Sequence, residues 1–421
     1  MADEAPAASS AGAGRLVVLV CTAQVLAQIG AYTWPALLPG FIDRWQLDNS
    51  QAGIITSMFY LAYMISVPVL VTLTDRIDPR RVYLFGVGCT VLGHLMFATV
   101  ADGFWTAAAA RTIAGIGWAG SYMTGLKLLA DRVDDKLLSR AVTGHAASIG
   151  ISGALSFMFA GLLADGFGWR GAFAVATGCA LAAWLIALLA VPRQQAAPAP
   201  APSGERPALF DFRPVLRNRS AMAYAAAYCI HTWEMSVLRG WGVAFLAFVA
   251  LRTGTDSGWL GPTVVATAMA LLGTWASVAG NELSIRLGRQ RLVRLAMAAS
   301  IVCAAVIGFL GPLSYYLAAG LVMLYGIVIW LDSSSLTAGA AGSAEPARRG
   351  ATLAVHSMLG YGGGFVGPMV MGWLLDLAGG MSQQAWGWAF LHVAVVMLAA
   401  RLLFSWLRPR DLAGDSPQTV R

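Results

Sequence analysis

The chain has 421 residues, of which 58% are apolar and only 12% carry a charge. A soluble protein carries about 25% charged residues, so this composition excludes a soluble globular fold. The net charge of +7 does not indicate a nucleic-acid partner, because the basic residues follow a membrane topology, as argued below. Five cysteines stand singly in five apolar stretches. That spacing favours neither a metal centre nor a disulfide framework.

Apolar stretches separated by charged or Pro/Gly-containing breaks predict an all-α integral membrane protein with twelve transmembrane helices. Each stretch has at least about 18 residues, which is enough to cross about 30 Å of hydrocarbon. The predicted spans, in chain order, are residues 15–40, 51–73, 82–100, 104–128, 141–163, 171–191, 220–248, 258–281, 292–311, 315–338, 351–376 and 386–407.

The sequence also predicts two halves. Residues 193–219 contain an alternating Ala-Pro stretch that is typical of an extended linker. We therefore predict a six-helix bundle over 1–192, a cytoplasmic linker over 193–219, and a second bundle with a short tail over 220–421. The basic segment at Arg76 recurs 210 residues later at Arg286. Four further residues recur after 211 residues, namely His145, Gly153, Gly161 and Asp165 as His356, Gly364, Gly372 and Asp376. Duplicated halves are typical of secondary transporters.

The basic residues give the predicted topology. With both termini in the cytoplasm, 22 of the 28 Lys and Arg residues lie on the cytoplasmic side and three lie outside. This bias follows the positive-inside rule. We therefore expect a multi-pass protein of a bacterial-type inner membrane, with both termini cytoplasmic.

Polar side chains deep in the predicted spans are candidates for a transport pathway, because an ionisable group in hydrocarbon normally faces a cavity or a partner. They collect on spans 1, 4, 7 and 10, which predicts that these helices line a central cavity. The candidates for the pathway are Gln24, Gln28 and Tyr32, which form one stripe at a spacing of four, with Arg111, His231, Glu234, Arg239 and Asp332.

Several of these residues have a structural alternative. Arg111 could bind a solute or proton, or only hydrogen-bond backbone carbonyls of a neighbouring helix. His231 and Glu234 share a helix face and could carry a proton or form a static pair. Glu234 and Arg239 could be an internal ion pair, and Asp332 could be solvated near the inner mouth. His145 and His356 lie near the cytoplasmic ends of spans 5 and 11, where their duplication favours a gate or a packing role.

The loop between spans 2 and 3 resembles the signature Gly-x-x-x-Asp-Arg-x-Gly-Arg-Arg of the major facilitator superfamily. Asp75, Arg76, Arg80 and Arg81 match it, whereas Val71 replaces the first glycine and Asp78-Pro79 the second. The resemblance implies two pseudo-symmetric six-helix bundles. It also implies a conformational clasp formed by those four matching residues. The second copy around Arg286 has Ile285 where Asp is expected.

The span-4 signature Arg-x-x-x-Gly-x-Gly is matched at Arg111, Gly115 and Gly117, whereas the Gly-Pro signature of many drug antiporters is absent from span 5. A looser resemblance, carried by residues 231–241, is to cyanate- and nitrate-type permeases. It implies a small polar or anionic solute.

We therefore predict a secondary transporter of a small polar or anionic solute, working by alternating access and coupled to protons. The expected partners are that solute, H⁺ and the lipid bilayer, with no cofactor and a monomeric state. Proton-driven efflux of a hydrophobic or drug-like compound and a transporter-derived membrane sensor are the alternatives. We expect no enzyme, because the sequence has no His-Glu-x-x-His, Gly-x-Ser-x-Gly or phosphate-binding Gly-x-x-x-x-Gly-Lys-Ser/Thr motif.

Overall fold

A computed structural model describes residues 10–74, 76–133, 135–193 and 212–412. Fifteen α-helices and three short 3₁₀ helices make up these ranges, which contain no strand. The α-helices in chain order are α1 Ser10–Gln28, α2 Thr33–Ala36, α3 Leu38–Trp45, α4 Asn49–Leu73, α5 Pro79–Thr99, α6 Phe104–Ala130, α7 Asp135–Ala190, α8 Arg213–Arg217, α9 Arg219–Thr253, α10 Pro262–Leu287, α11 Arg289–Leu310, α12 Tyr315–Trp330, α13 Ser333–Gly342, α14 Arg349–Leu377 and α15 Gln383–Leu407.

The amino-terminal and carboxy-terminal halves are the described residues before and after the gap at 194–211. The terminal face is the end of the bundle that holds Arg15 and Arg408, and the far face is the opposite end, which holds Trp45 and Asp376.

The first predicted span is not one continuous helix, and the prediction over 15–40 is wrong in this respect. The chain leaves helical geometry at residues 29–32, between α1 and α2. Pro35 explains part of the break, because a proline has no N–H to donate to the carbonyl four residues earlier, which is that of Ala31. Gly30 lies in the same segment and packs closely against His94. A Cβ there would lie 2.3 Å from His94 Nε2, so only glycine allows this approach.

The tenth span, predicted as continuous over 315–338, is also broken. Helix α12 ends at Trp330 and α13 begins at Ser333, with Leu331 and Asp332 between them. Helix α10 passes directly over this break, since a Cβ on Gly280 would lie 1.9 Å from the Leu331 carbonyl oxygen.

Helix α7 contains the fifth and sixth predicted spans with a single non-helical residue, Gly168, at φ 71°. Its candidate membrane segment has 51 residues, about 77 Å of helix at the standard rise. Both ends of α7 lie at the terminal face, where His145 Nε2 is 2.9 Å from the Tyr122 carbonyl oxygen and Arg80 binds the Ala187 carbonyl. Gly161 instead contacts Thr263 near the far face. The chain therefore folds back at Gly168.

Nine helices in the described ranges are long and apolar enough to cross a membrane, and one of these is the folded-back segment Arg140–Ala190. The helix Gly12–Gln28 is apolar but shorter. The all-α membrane fold is confirmed. The count of twelve spans stays a prediction, as do the domain boundaries, because residues 194–211 of the linker lie outside the described ranges.

The buried apolar clusters locate the contact between the halves. One cluster joins Trp34 and Phe41 to Trp241 and Phe245, and a second joins Tyr63 to Ala266, so both contain residues of the two halves. Two other clusters, at the terminal face, each contain residues of one half alone. The halves are therefore packed together at the far face and in the middle of the bundle.

Candidate functional site

The helix break in the first span places Tyr32 between the two halves. Its backbone N–H donates to Ser156 Oγ over 2.8 Å, and its hydroxyl accepts from Arg239 Nη1 over 2.8 Å. The side chain is 4% exposed. Tyr32 was predicted to continue a helical stripe with Gln24 and Gln28. It lies instead beyond the end of α1, because the chain has already left the helix.

Arg111 approaches the same break from α6. Its Nη1 donates over 2.9 Å to the carbonyl of Ala31, the group that Pro35 leaves without an intrahelical partner. Its guanidinium carbon lies 4.2 Å from the Phe59 ring centroid. The alternative of backbone hydrogen bonding is therefore what the structure contains, although Nε of this side chain has no described partner.

Arg239 approaches from α9 and lies over the rings of Tyr32 and Trp330, at 5.0 and 4.8 Å from their centroids. Its Nε has no described acceptor. Within the described ranges Arg239 does not pair with Glu234, so the alternative of an internal ion pair is wrong. We call Tyr32, Arg111 and Arg239 the Tyr32 site. Neither arginine in it pairs with a described carboxylate.

Aromatic rings surround the Tyr32 site. The Tyr32 ring stacks on Phe157 at 5.2 Å and meets Trp118 edge-on at 6.1 Å. Across the boundary between the halves, the rings of Tyr63 and Tyr361 stack at 3.7 Å. We call these five rings the aromatic wall. The indole Nε1 of Trp118 is a further buried N–H group with no described acceptor.

Two glutamines precede the site on α1. Gln28 Nε2 donates to Ser121 Oγ over 3.1 Å, which joins α1 to α6. Gln24 is fully buried, and neither atom of its amide has a partner among the described residues. A buried amide of this kind is normally satisfied by water or a ligand.

Glu234 lies in a different environment, inside the carboxy-terminal half. Its carboxylate accepts from Ser300 Oγ on α11 over 3.2 Å and from Tyr325 OH on α12 over 3.0 Å. The side chain is 2% exposed. Its oxygens thus point toward the ninth and tenth spans, whereas the sequence pattern predicted that this residue faces the central cavity.

His231 and Asp332 form a close pair one turn away from Glu234. His231 Nδ1 lies 3.0 Å from Asp332 Oδ1, and both side chains are almost fully buried. The two atoms are not aligned as a hydrogen bond. Asp332 is therefore not solvated, contrary to one of the alternatives above, because it sits in the break between α12 and α13. His231 pairs with Asp332 and not with Glu234.

The two repeated histidines occupy similar positions in their halves. His145 Nε2 lies 2.9 Å from the Tyr122 carbonyl oxygen on α6, and His356 Nε2 lies 3.2 Å from Thr337 Oγ1 on α13. Both imidazoles are buried. Each contacts its own half, so a role as a gate stays a prediction.

The segment of the predicted clasp is only partly described. Asp75 lies outside the described residues, and Arg76 and Arg81 are exposed. Arg80 is buried and donates to the carbonyls of Ala187 and Leu188 at the end of α7.

A model of the Major Facilitator Superfamily matches residues 20–359 of the chain. The chain belongs to the major facilitator superfamily. The predicted family is confirmed, and with it the fold of two related bundles. The looser resemblance to cyanate- and nitrate-type permeases stays a prediction.

Relatives within the superfamily are distant. The chain is 27% identical over 205 residues to the uncharacterized MFS-type transporter YbcL of Bacillus subtilis, covering 46% of this chain and 51% of YbcL. It is 24% identical over 239 residues to human protein spinster homolog 1, covering 55% and 45%. A shorter match, 31% over 125 residues, is to the drug efflux pump JefA of Mycobacterium tuberculosis, covering 29% and 24%. The chain thus spans about half the length of the first two of these relatives.

Solved structures of superfamily transporters share the fold over almost the whole chain. A bacterial homologue of the human lysosomal transporter spinster, in an inward-facing and occupied conformation, has a TM-score of 0.75 at 14% identity, covering 96% of this chain and 98% of that one. The nucleoside transporter NupG has a TM-score of 0.75 at 13% identity, covering 94% and 100%. At these identities the likeness shows the fold alone.

In the superfamily's loop signature, the structure places an acid–arginine pair at residues that sequence reasoning missed. Asp78 Oδ1 accepts from the backbone N–H of Arg80 over 3.0 Å, at the start of α5, and from Arg132 Nη2 over 2.8 Å. Asp followed by Pro79 is a signal for the first turn of a helix, and it would have marked Asp78 as a capping residue. No sequence pattern marked Arg132 as the partner of Asp78, because its position depends on where the end of α6 lies in the fold.

Proposed function

We propose that this superfamily member is a secondary transporter of a small organic anion, which binds at the Tyr32 site between the two halves. The observation that carries this proposal is a pair of buried arginines without a described carboxylate partner. An ionised side chain in hydrocarbon costs at least about 2.5–3.5 kcal/mol on insertion scales. An anion that enters the site would offset this cost.

The hydrogen-bonding capacity of the site supports an anion in particular. Three buried N–H groups lack a described acceptor, namely Nε of Arg111, Nε of Arg239 and Nε1 of Trp118. All three are donors only. A ligand that satisfies them must offer acceptors, and carboxylates and phosphates match the planar guanidinium best.

The aromatic wall supports an organic solute over an inorganic one. Rings of Tyr32, Phe157 and Trp118 stand beside the two guanidinium groups. Ligand sites of this kind usually combine apolar or aromatic lining with a few placed polar groups. We infer an anion that has a planar or apolar part.

Thermal-shift measurements on the purified protein, with a panel of organic anions and their neutral amide or ester analogues, test the proposal. We expect stabilisation by at least one anion but not by its neutral analogue, and a loss of at least about tenfold in affinity on Arg239→Gln, because a charge-assisted bidentate contact is lost. Arg401→Gln is the matched control, since Arg401 is also in a span but bonds the Arg294 carbonyl instead. Equal binding of neutral analogues would contradict an anion site.

A second candidate is efflux of hydrophobic or drug-like compounds. The aromatic wall and the partial likeness to JefA favour it. The same panel decides between the candidates, because neutral hydrophobic compounds would then stabilise the protein and Arg239→Gln would leave that stabilisation unchanged.

Coupling to protons is the second part of the proposal. The buried acids Glu234 and Asp332 and the imidazole of His231 lie on one side of α9, in the carboxy-terminal half. Buried ionisable groups in membrane segments mark proton pathways in many transporters. We infer that this group of three residues takes up and releases the coupled proton.

We also propose that the terminal face is cytoplasmic and that the protein resides in a bacterial-type inner membrane. The distribution of Lys and Arg supports this orientation. Since the far face is closed by contacts between the halves, the solute site would then be reached from the cytoplasm in this conformation.

A further inference from the structure

A single carboxylate joins the two halves at the far face. Asp376, at the end of α14, accepts four hydrogen bonds from the first turn of α4. Its Oδ1 accepts from the backbone N–H and Nδ2 of Asn49, over 3.1 and 2.7 Å. Its Oδ2 accepts from the backbone N–H and Oγ of Ser50, over 2.7 and 2.6 Å. The acceptor lies in the carboxy-terminal half, and all four donors lie in the amino-terminal half.

The chemistry of these contacts makes them strong. The first N–H groups of a helix have no intrahelical partner, and that end of the helix carries a partial positive charge. Hydrogen bonds to an ionised acceptor are roughly twice as strong as neutral ones. Helix α4 already has its own cap, since Asp48 accepts from the backbone N–H of Gln51. That cap stays with α4 when the halves separate, whereas the bonds to Asp376 do not.

The backbones of α4 and α14 approach each other closely beside Asp376. A Cβ on Gly372 would lie 2.1 Å from the Asn49 carbonyl oxygen, and a Cβ on Gly53 would lie 2.5 Å from the Pro368 carbonyl oxygen. The two helices therefore touch backbone to backbone beside Asp376. Separation of their ends by a few ångströms breaks all four bonds together.

The repeat partner of Asp376 provides no such contact. Asp165, 211 residues earlier, is exposed and makes no hydrogen bond to a described residue. The corresponding approach joins Gly161 to Thr263 on α10. Helix α10 begins at Pro262, which has no N–H and no polar side chain, so the place that Asn49 takes in α4 offers no donor, and Thr263, which follows, makes no hydrogen bond to Asp165. The carboxylate contact is present on one side of the pseudo-symmetric interface.

We propose that Asp376 acts as a latch. Its hydrogen bonds to the start of α4 hold the far face closed, and they must break for the far face to open in each transport cycle. The latch acts through the geometry of the halves and applies whichever solute is carried. Loss of the carboxylate shifts the protein toward conformations that are open at the far face.

Spin-label distances across the far face test this directly, without any solute. Asp102 and Asp256 are exposed on far-face loops of opposite halves and can carry labels as Asp102→Cys and Asp256→Cys, once the five native cysteines are replaced. In lipid nanodiscs we expect Asp376→Asn to raise the ratio of long to short distances by about tenfold, because hydrogen bonds to a charged group are lost. Ser50→Ala should produce a smaller rise in the same direction.

Asp165→Asn is the matched control and should leave the distance distribution unchanged. If Asp376→Asn does not fold, Ser50→Ala still tests the contact, since it removes one donor and leaves the carboxylate. Unchanged distances in the folded Asp376→Asn and Ser50→Ala variants would overturn the latch. So would an equal opening in Asp165→Asn, because the effect would then not depend on the bonds to α4.

Discussion

At the scale of single residues, the buried charges fall into two groups with different surroundings. Arg111 and Arg239 meet aromatic rings, the Tyr32 hydroxyl and the Ala31 carbonyl at the boundary between the halves, whereas Glu234 and Asp332 lie in the carboxy-terminal half. The proposed solute site and the proposed proton site both contact Trp330, whose ring centroid lies 4.8 Å from the guanidinium carbon of Arg239 and 6.3 Å from the ring centroid of His231. Coupling between them requires a shared element, and α9 carries residues of both.

Substitution of the two acids separates their contributions to coupling. We expect Glu234→Gln and Asp332→Asn each to reduce pH-gradient-driven flux by at least about tenfold, while solute counterflow persists, because an uncharged amide takes up no proton. Flux into proteoliposomes, with and without an imposed pH gradient, measures this.

Comparison of the two variants tests whether both acids take part. Glu234 has two hydroxyl donors that can also bond an amide, whereas Asp332 approaches His231. Driven flux that is unchanged in both variants would exclude this cluster as the proton site. Loss in Asp332→Asn alone would assign the proton to the His231–Asp332 pair and leave Glu234 as a buried structural acid.

At the scale of elements, the breaks in the first and tenth spans place polar groups at the proposed solute and proton sites. The first break frees the Ala31 carbonyl for Arg111 and turns the Tyr32 hydroxyl toward Arg239. The second places Asp332 beside His231. Interrupted helices at ion and substrate sites recur among secondary transporters, because freed backbone groups and helix ends bind charge.

Substitution of Gly30 tests its close contact with His94 at the first break. We expect Gly30→Ala to destabilise the protein by about 1–3 kcal/mol, the usual cost of overpacking, because the added Cβ would lie 2.3 Å from His94 Nε2. The thermal unfolding temperature in detergent measures the change. His94→Ala in the same chain should restore most of it.

Gly178→Ala is a suitable control, since a Cβ at that helical position meets nothing within 4 Å. This control should leave the unfolding temperature unchanged or raise it slightly, as alanine favours helix more than glycine does. Equal destabilisation by the two alanines would contradict the specific contact with His94.

At the scale of the whole molecule, the halves share their apolar core at the far face and keep separate cores at the terminal face. The predicted alternating-access mechanism requires one face to close while the other opens. The distribution of the core identifies the far face as the closed one in this conformation, and the Asp376 contact is its polar component.

Labelling of cysteines introduced at the two faces tests the proposed orientation. In intact cells a membrane-impermeant maleimide should react with Asp102→Cys at the far face, and with Glu345→Cys at the terminal face only after permeabilisation. Both positions are exposed. The reverse pattern would place the terminal face outside and contradict the interpretation of the basic residues.

From the amino-acid sequence alone we could predict the membrane class, the family and the fold of two related bundles. Each depends on local quantities, namely the transfer energy of a stretch of residues, the charge of a loop, or a short motif. It also contained Pro35, whose missing N–H frees the Ala31 carbonyl, although the break was not predicted from it.

The partners of the buried polar groups could not be predicted from the sequence and became known from the folded structure. Tyr32 meets Arg239 across 207 positions of the chain, and Asp376 meets Asn49 across 327. No local propensity encodes such contacts, because they depend on how whole helices pack. Asp165 and Asp376 recur at equivalent positions of the repeat, yet packing makes them unequal, since Asp376 bonds the start of α4 whereas Asp165 is exposed.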